Sequence, residues 1–504
     1  MIRKKRSSWL ALVALSLVAL LGLSGCSDLF SLITTTTTTT STTTSTSTTT
    51  STTSTTVPAT TTTTVTEVKY YDFTEYTYTE DGKSGAVLAD GVTQSKYSLT
   101  KTADSKPNKL YVVDVNPAAA DNVTLYVGRP NGYISGLAKI RDMAAYIDSN
   151  TNKTVLAGLN ADFFDIATAT GGVGGFTMSE GRWLTTGEFT TEGSYTVTST
   201  NPFTQVTTTS TYTRHKGWSF GIDASGHPMI GQPEVAMTFD SFTGDTQDHD
   251  DTAISILNQP RADILPANTN PANLKRERLD NTIVLYTPDY FTTTKTVANG
   301  VDVTFSTTDT VRSNGTITGT VIDVSTSGDV PLAAGTMVLS GAAGAGATAL
   351  SDLAVGDVVK INVQVSNEFA DAVECVGGGR PDGGPVLVQN GTLVGADYSS
   401  YEEYSGKWYD SNPRTAVGLR ADGSYFFMVV DGRQTGTSNG ASIDELAQFA
   451  LDLGAEEAIN FDGGSSATMI TGTGVDGTYI LYNTPSGTGG AERLDGNGIF
   501  VVAK

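Results

Sequence analysis

Cysteine is nearly absent. Cys26 and Cys375 are the only two in 504 residues, and Cys26 lies in a targeting segment, so Cys375 has no intrachain partner and a disulfide framework is excluded. Cys375 reads as a small buried residue at a strand end. Histidine is scarce too. His215, His227 and His249 stand in loop-like Gly, Asp and Pro contexts without metal-ligand spacing, which argues against a zinc site. Positive charge is in deficit, with 31 Lys and Arg against 53 Asp and Glu and a net charge of -22. That field repels nucleic acid and anionic lipid surfaces, and a phosphate-bearing ligand would need local arginines or backbone N–H donors. Apolar runs are short: residues 9–23 fall below the length of a membrane span. The Gly/Ala-rich stretch 341–349 reads as a loop, and no Lys-Ser or Lys-Thr follows it to make a phosphate loop.

What is present begins with Arg3, Lys4, Lys5 and Arg6, then the apolar run, then Leu23-Ser24-Gly25-Cys26. This pattern is that of a bacterial lipoprotein signal over 1–25, with the Cys26 thiol receiving diacylglycerol. The chain is expected to be exported and held at the outer face of the cell membrane by that lipid alone. Residues 26–66 read as a disordered linker, almost wholly Thr and Ser from 34 onward, with hydroxyls open to O-glycosylation. Residues 67–504 are left to fold, and they are enough for a sizeable core.

The expected fold class is α/β in the mixed α+β sense: a mixed β-sheet core with packed helices and a β-rich inserted subdomain. KLYVVDV (109–115) and VTLYV (123–127) alternate as strands, and 141–147 reads as a short helix. Residues 154–159 form an apolar strand running into Asn160-Ala161-Asp162-Phe163-Phe164-Asp165 and a Gly-rich run at 171–175, the mark of a site edge. Short β-like pieces at 283–286, 301–305, 319–324 and 358–365 define the insertion, 283–365.

The chemistry concentrates further on. YFFMVV (425–430) is an apolar strand ending in Asp431-Gly432-Arg433. Ser442-Ile443-Asp444-Glu445 is a capping box opening a helix whose apolar face includes Leu446, Phe449 and Leu453, and Gly454 is placed to stop it. AINF (458–461) is the next strand, ending in Asp462-Gly463-Gly464-Ser465-Ser466. A strand-helix-strand unit brings both strand ends to one sheet edge, so Asp431 and Asp462 should meet there, beside glycines that let a ligand approach the backbone.

These segments resemble the phosphodiester glycosidase family. The resemblance is carried by Asn160 to Asp165, Gly384-Pro385-Val386-Leu387-Val388 with Asn390-Gly391, Arg414-Thr415-Ala416-Val417-Gly418, Val430-Asp431-Gly432-Arg433, Gly440-Ala441-Ser442 with Glu445-Leu446-Ala447, Asn460 to Met469, and 493–500. Ala161 and Ser465 depart from it, each standing where glycine is usual. The resemblance implies hydrolysis of a sugar-1-phosphodiester, of N-acetylglucosamine type, to free sugar and phosphomonoester, on a wall polymer or exopolysaccharide. No cofactor and no metal are expected, and the chain is expected to be a monomer.

On that reading Asp462 activates water or steadies the oxocarbenium-like centre, with Asp431 as its partner. Arg414, Arg433 and Arg493 are phosphate candidates. Asn160 and Ser465 bind substrate oxygens beside Gly463 and Gly464, and Asp165 is a further candidate. Structural readings compete: Asp-Gly pairs close turns, Arg414 and Arg493 can brace buried carboxylates, and Glu445 caps its helix. Rival functions are a non-catalytic polysaccharide-binding lipoprotein and a surface adhesin built on the aromatic cluster Tyr70, Tyr71, Phe73, Tyr76 and Tyr78, which also fits a packed edge strand. The Asp-rich loop with Asp245, Asp248, Asp250 and Asp251 lacks the EF-hand calcium pattern.

Overall fold

In the computed structural model the apolar run Tyr425–Val430 is buried along its whole length. The residues described are 73–80, 85–165, 171–186, 193–200, 207–214, 217–258, 275, 278, 280–377, 386–395, 409–473 and 478–504. The expected signal peptide, Cys26, the Thr/Ser tract, Tyr70 and Tyr71 lie outside them. Phe426, Met428 and Val430 point into one core while Phe427 and Val429 point into another, which is why the run is continuous rather than alternating.

This strand belongs to a nine-stranded sheet whose middle runs Pro107–Val115, Tyr425–Val430, Arg414–Leu419, Glu457–Phe461, Val386–Gln389. Tyr425–Val430 and Glu457–Phe461 are both antiparallel to Arg414–Leu419 between them, and therefore parallel to each other. The helix Ile443–Asp452 joins them. Ser442 Oγ accepts the Glu445 N–H at 3.2 Å and Glu445 Oε2 accepts the Ser442 N–H at 2.9 Å, so Glu445 is a cap. Ile443, Leu446, Phe449 and Ala450 cover one sheet face. At the sheet edge Tyr76–Glu80 pairs with Val92–Lys101, and Phe73 and Tyr76 pack on Phe449 with ring centroids 6.1 and 5.0 Å apart. The described part of the aromatic cluster is thus a packed edge.

The other face of the sheet is covered by a second sheet rather than by helices, and here the expected fold class needs correction toward β. Tyr479–Leu481, Met469–Thr473, Thr154–Asn160, Gly498–Ala503 and Val123–Gly128 form that five-stranded sheet. Leu125, Val127, Leu159, Met469, Ile499 and Val501 pack from it against Phe427, Val429, Ile459 and Phe461. Its far side takes the helix Ile140–Asn150 through Ile140, Met143 and Ile147. The layers run helix, sheet, sheet, helix. With an eight-stranded, a further five-stranded and a two-stranded sheet besides, the described chain is mostly β; its α-helices are short, Ala345–Ser351 having 7 residues.

One adjoining sheet has eight strands between Val235 and Val365 and its own core around Phe239, Phe305, Leu339 and Ile361. The segment 283–365 lies within it. The buried Arg278–Asp302 pair, 2.6 Å apart, ties it internally, and Asp289 reaches Arg129 and Arg182 at 3.0 and 3.2 Å. Two readings are corrected here. The Asp-rich "loop" is an edge strand, Thr246–Ile254, with Asp248 and Asp250 exposed, where acids block edge-to-edge pairing. The 341–349 "loop" is a strand end and the helix Ala345–Ser351: Gly346 is needed for close packing, since a Cβ there would lie 2.2 Å from Thr282 O. The further five-stranded sheet includes Ala372–Gly377, where Cys375 is fully buried, its thiol pushed up by burial.

Candidate active site

Val430 and Phe461 end side by side across Arg414 and Thr415, so Asp431 and Asp462 leave the sheet at one edge. Their surroundings differ. The Asp462 N–H donates to Ala161 O at 2.8 Å, and its carbonyl accepts Asn160 Nδ2 at 2.6 Å. Asn160 Oδ1 accepts Thr415 Oγ1 at 3.0 Å and the Thr468 N–H at 3.1 Å. Asn160 therefore stitches the two sheets together directly beneath Asp462.

After Asp462 the chain makes a single tight turn, Gly464–Ser466, with the Gly464 N–H on Pro413 O at 2.8 Å. Arg433 folds over this turn. It sits in the left-handed region at φ 58 and donates to Asn412 Oδ1 at 3.1 and 2.9 Å and to Ser465 Oγ at 3.3 Å. A Cβ on Gly464 would stand 3.2 Å from its Nη2. Arg493 meets the same turn one residue on, donating to Ser466 Oγ at 3.4 Å with its guanidinium 5.1 Å from the Phe164 ring centre. The structure thus gathers Asp462, Gly463, Gly464, Ser465, Arg433, Arg493 and Asn160.

Three other candidates are placed differently. Asp431 is buried, and its carboxylate accepts Tyr111 Oη at 3.1 Å, Asn483 Nδ2 at 2.9 Å and the Thr484 N–H at 3.1 Å. Burial pushes its carboxyl up to about 6, against those bonds, which favour the charged form. Arg414 is buried and donates to Ala441 O and Asp410 O at 2.9 and 3.0 Å. Asp165 is half-buried on the loop that Phe164 and Val173 close, with its N–H on Gly172 O.

Sequence reasoning passed over Asn412, which holds Arg433, and Asn483, which links Asp431 to Met469 N–H and Ala467 O. It also passed over Asp495, whose Leu-Asp-Gly context looks like any turn. Asp495 is buried, and burial first and the Asp462 charge second push its carboxyl well above the usual range. Among the described residues no three His, Cys, Asp or Glu side chains converge as a metal cage. Cavities of 170 and 420 Å³ open elsewhere, around Tyr425 at the other end of its strand and around Asp90 and Asn122.

Residues 311–502 match the model of the phosphodiester glycosidase family. This segment belongs to that family. It contains Arg433, the Asp462 turn, Arg493 and Asp495, while Asn160 lies outside the matched phosphodiester glycosidase range. No curated protein matches the chain. Among solved structures, a hypothetical protein from Synechocystis is 17% identical over 82% of this chain, with a TM-score of 0.55, and the chain spans 62% of that protein's length. A Burkholderia pseudomallei protein described as exported is 21% identical over 79% of this chain and 74% of its own, with a TM-score of 0.54. Both share the fold. The catalytic domain of zebrafish N-acetylglucosamine-1-phosphodiester alpha-N-acetylglucosaminidase, auto-inhibited by its pro-peptide, is more distant: 12% identical over 85% of this chain and 88% of its own, with a TM-score of 0.37.

Proposed function

We propose that the protein hydrolyses a sugar-1-phosphodiester, releasing free sugar and a phosphomonoester. The observation that carries this reading is the pair of arginines flanking the Asp462 turn. Among the described residues neither Arg433 nor Arg493 is in an ion pair; they are held by Asn412, Ser465 and Ser466, which are neutral acceptors. Their charge is therefore available to an anion in a protein of net charge -22. A phosphomonoester is a good leaving group and needs little protonation, so a carboxylate at the anomeric carbon and cations on the phosphate suffice.

Asp462 is the carboxylate that activates water or steadies the oxocarbenium-like centre. Arg433 and Arg493 hold the phosphate, Ser465 and the Gly463-Gly464 backbone approach substrate oxygens, and Asn160 positions Asp462 through its carbonyl. Asp431 and Arg414 set the walls: one clamps Asn483 and Thr484, the other the 410–441 crossing. The lipoprotein-like N-terminus, together with the description of the Burkholderia relative as exported, supports an envelope enzyme anchored through Cys26, acting on wall polymer or exopolysaccharide.

The test is release of sugar from an alpha-N-acetylglucosamine-1-phosphodiester by the purified protein and by Asp462→Asn. Release by the parent and a loss of at least ~100-fold in the folded variant is expected. Equal release by the variant would move the chemistry away from Asp462, and no release by either from several sugar phosphodiesters would leave a glycan-binding protein.

A further inference from the structure

The backbone of Asn412 and Pro413 passes through a space that three glycines keep open. A Cβ on Gly432 would lie 2.6 Å from Pro413 N, one on Gly440 2.5 Å from Asn412 C, and one on Gly463 2.7 Å from Pro413 O. Gly432 follows the strand Tyr425–Val430, Gly440 precedes the helix Ile443–Asp452, and Gly463 follows the strand Glu457–Phe461, so three elements close on this dipeptide. Approaches this short leave no room for a side chain at any of the three. Hydrogen bonds fix the segment as well: the Asn412 N–H donates to Ala441 O at 3.1 Å, and Asn412 O accepts the Ala441 N–H at 2.9 Å.

From this fixed point two contacts reach the site. Pro413 O accepts the Gly464 N–H at 2.8 Å and so anchors the turn after Asp462. Asn412 Oδ1 accepts from both Nε and Nη2 of Arg433, at 3.1 and 2.9 Å. Of the five N–H donors on a guanidinium, these two bonds and the one from Nη1 to Ser465 Oγ use three, and the remaining two, on an exposed side chain, have no partner among the described residues. Arg433 also holds a left-handed backbone at φ 58, which L side chains rarely adopt and which persists where the surroundings impose it, often at functional sites. The acceptor that holds it is an amide. A carboxylate in the same place would grip the same fork and cancel its charge.

We propose that Asn412 is a positioning residue for Arg433: it holds the guanidinium over the Gly464–Ser466 turn and, being a neutral acceptor, leaves its charge for a phosphate group. The identity of the substrate rests on the glycosidase reading, whereas the binding of phosphate does not. Because the phosphate is present before and during the reaction, loss of this grip falls on KM more than on kcat.

The experiment titrates the full-length protein with inorganic phosphate by calorimetry and follows kcat and KM for an alpha-N-acetylglucosamine-1-phosphodiester. The wild type is compared with Asn412→Leu, Asn412→Asp, Arg433→Ala and the double variant Asn412→Leu with Arg433→Ala, and Tm confirms that each is folded. Asn412→Leu removes the acceptor at nearly constant shape, while Asn412→Asp keeps the acceptor and adds a charge. Each should weaken phosphate binding and raise KM by about tenfold or more, with kcat little changed. In the Arg433→Ala background Asn412→Leu should alter neither quantity further, because Asn412 acts through the guanidinium. A merely structural residue would tolerate Asn412→Asp, so wild-type phosphate affinity and KM in that folded variant would overturn the proposal. Equal losses from Asn412→Leu with and without Arg433 would overturn it as well, and so would a wild type that binds no phosphate. If phosphate affinity follows the expected pattern but no sugar is released, the glycosidase reading fails and the role of Asn412 stands.

Discussion

Glu374 offers a perturbation independent of the active site. It is fully buried in the strand Ala372–Gly377, where Oε2 accepts the Val127 N–H at 2.9 Å and Oε1 the Glu180 N–H at 2.8 Å, bridging two sheets. Burial raises its carboxyl from 4.5 to about 8, outweighing the two amides, which favour the charged form. Between those values the unfolded chain has released a proton that the folded protein keeps, so stability falls as pH rises. At about 1.4 kcal/mol per pH unit the loss is on the order of 5 kcal/mol by the alkaline end. Glu374→Gln removes the titration but turns an NH₂ toward one of the two amide donors, a constant cost of about 1–3 kcal/mol. Denaturant midpoints from pH 5 to pH 9 should therefore cross, with the wild type more stable in acid and the variant more stable in alkali. Parallel curves would refute the assignment. Asp431 acts with the same sign between 3.8 and about 6 in both proteins and cancels from the comparison.

Two further outcomes follow from local geometry. A Cβ on Gly158 would lie 2.2 Å from Phe500 Cδ1, and Gly128 closes the other side of that fully buried ring, so Gly158→Ala should cost about 1–3 kcal/mol; thermal unfolding measures it, and Phe500→Leu in the same chain should recover part. Arg433→Lys loses the forked donation to Asn412 Oδ1 while leaving the exposed position otherwise intact, so KM should rise about tenfold at unchanged Tm. Unchanged kinetics would remove Arg433 from the phosphate site.

Local patterns proved readable where the chain decides its own structure. Ser442 and Glu445 cap their helix from four residues of sequence, and the common edge of Asp431 and Asp462 follows from a strand-helix-strand order even though Arg414–Leu419 slips between the strands. What covers a buried strand is a different matter. YFFMVV is equally apolar whether a helix or a sheet lies on it, and the second sheet is assembled from segments as far apart as Val123–Gly128 and Gly498–Ala503. Tertiary partners likewise separate the two aspartates: Asp431 is held by Tyr111 from 320 residues away, a contact that no spacing rule encodes.

The treatment of arginine across the molecule bears on function. Arg129 and Arg182 meet Asp289, Arg278 meets Asp302, Arg420 meets Asp114, and Arg141 meets Glu492. In a chain with 53 acidic residues to 31 basic ones, such neutralisation is the expected fate of a guanidinium. Among the described residues Arg433 and Arg493 form no ion pair, as exposed Arg312 also does not, and unlike Arg312 they meet at one glycine-rich turn, on Ser465 and Ser466. Their partners, an amide oxygen, two hydroxyls and an aromatic face, orient each fork without cancelling its charge. On the proposed reading, that uncancelled charge is what an anionic diester would meet in a body whose overall field repels anions.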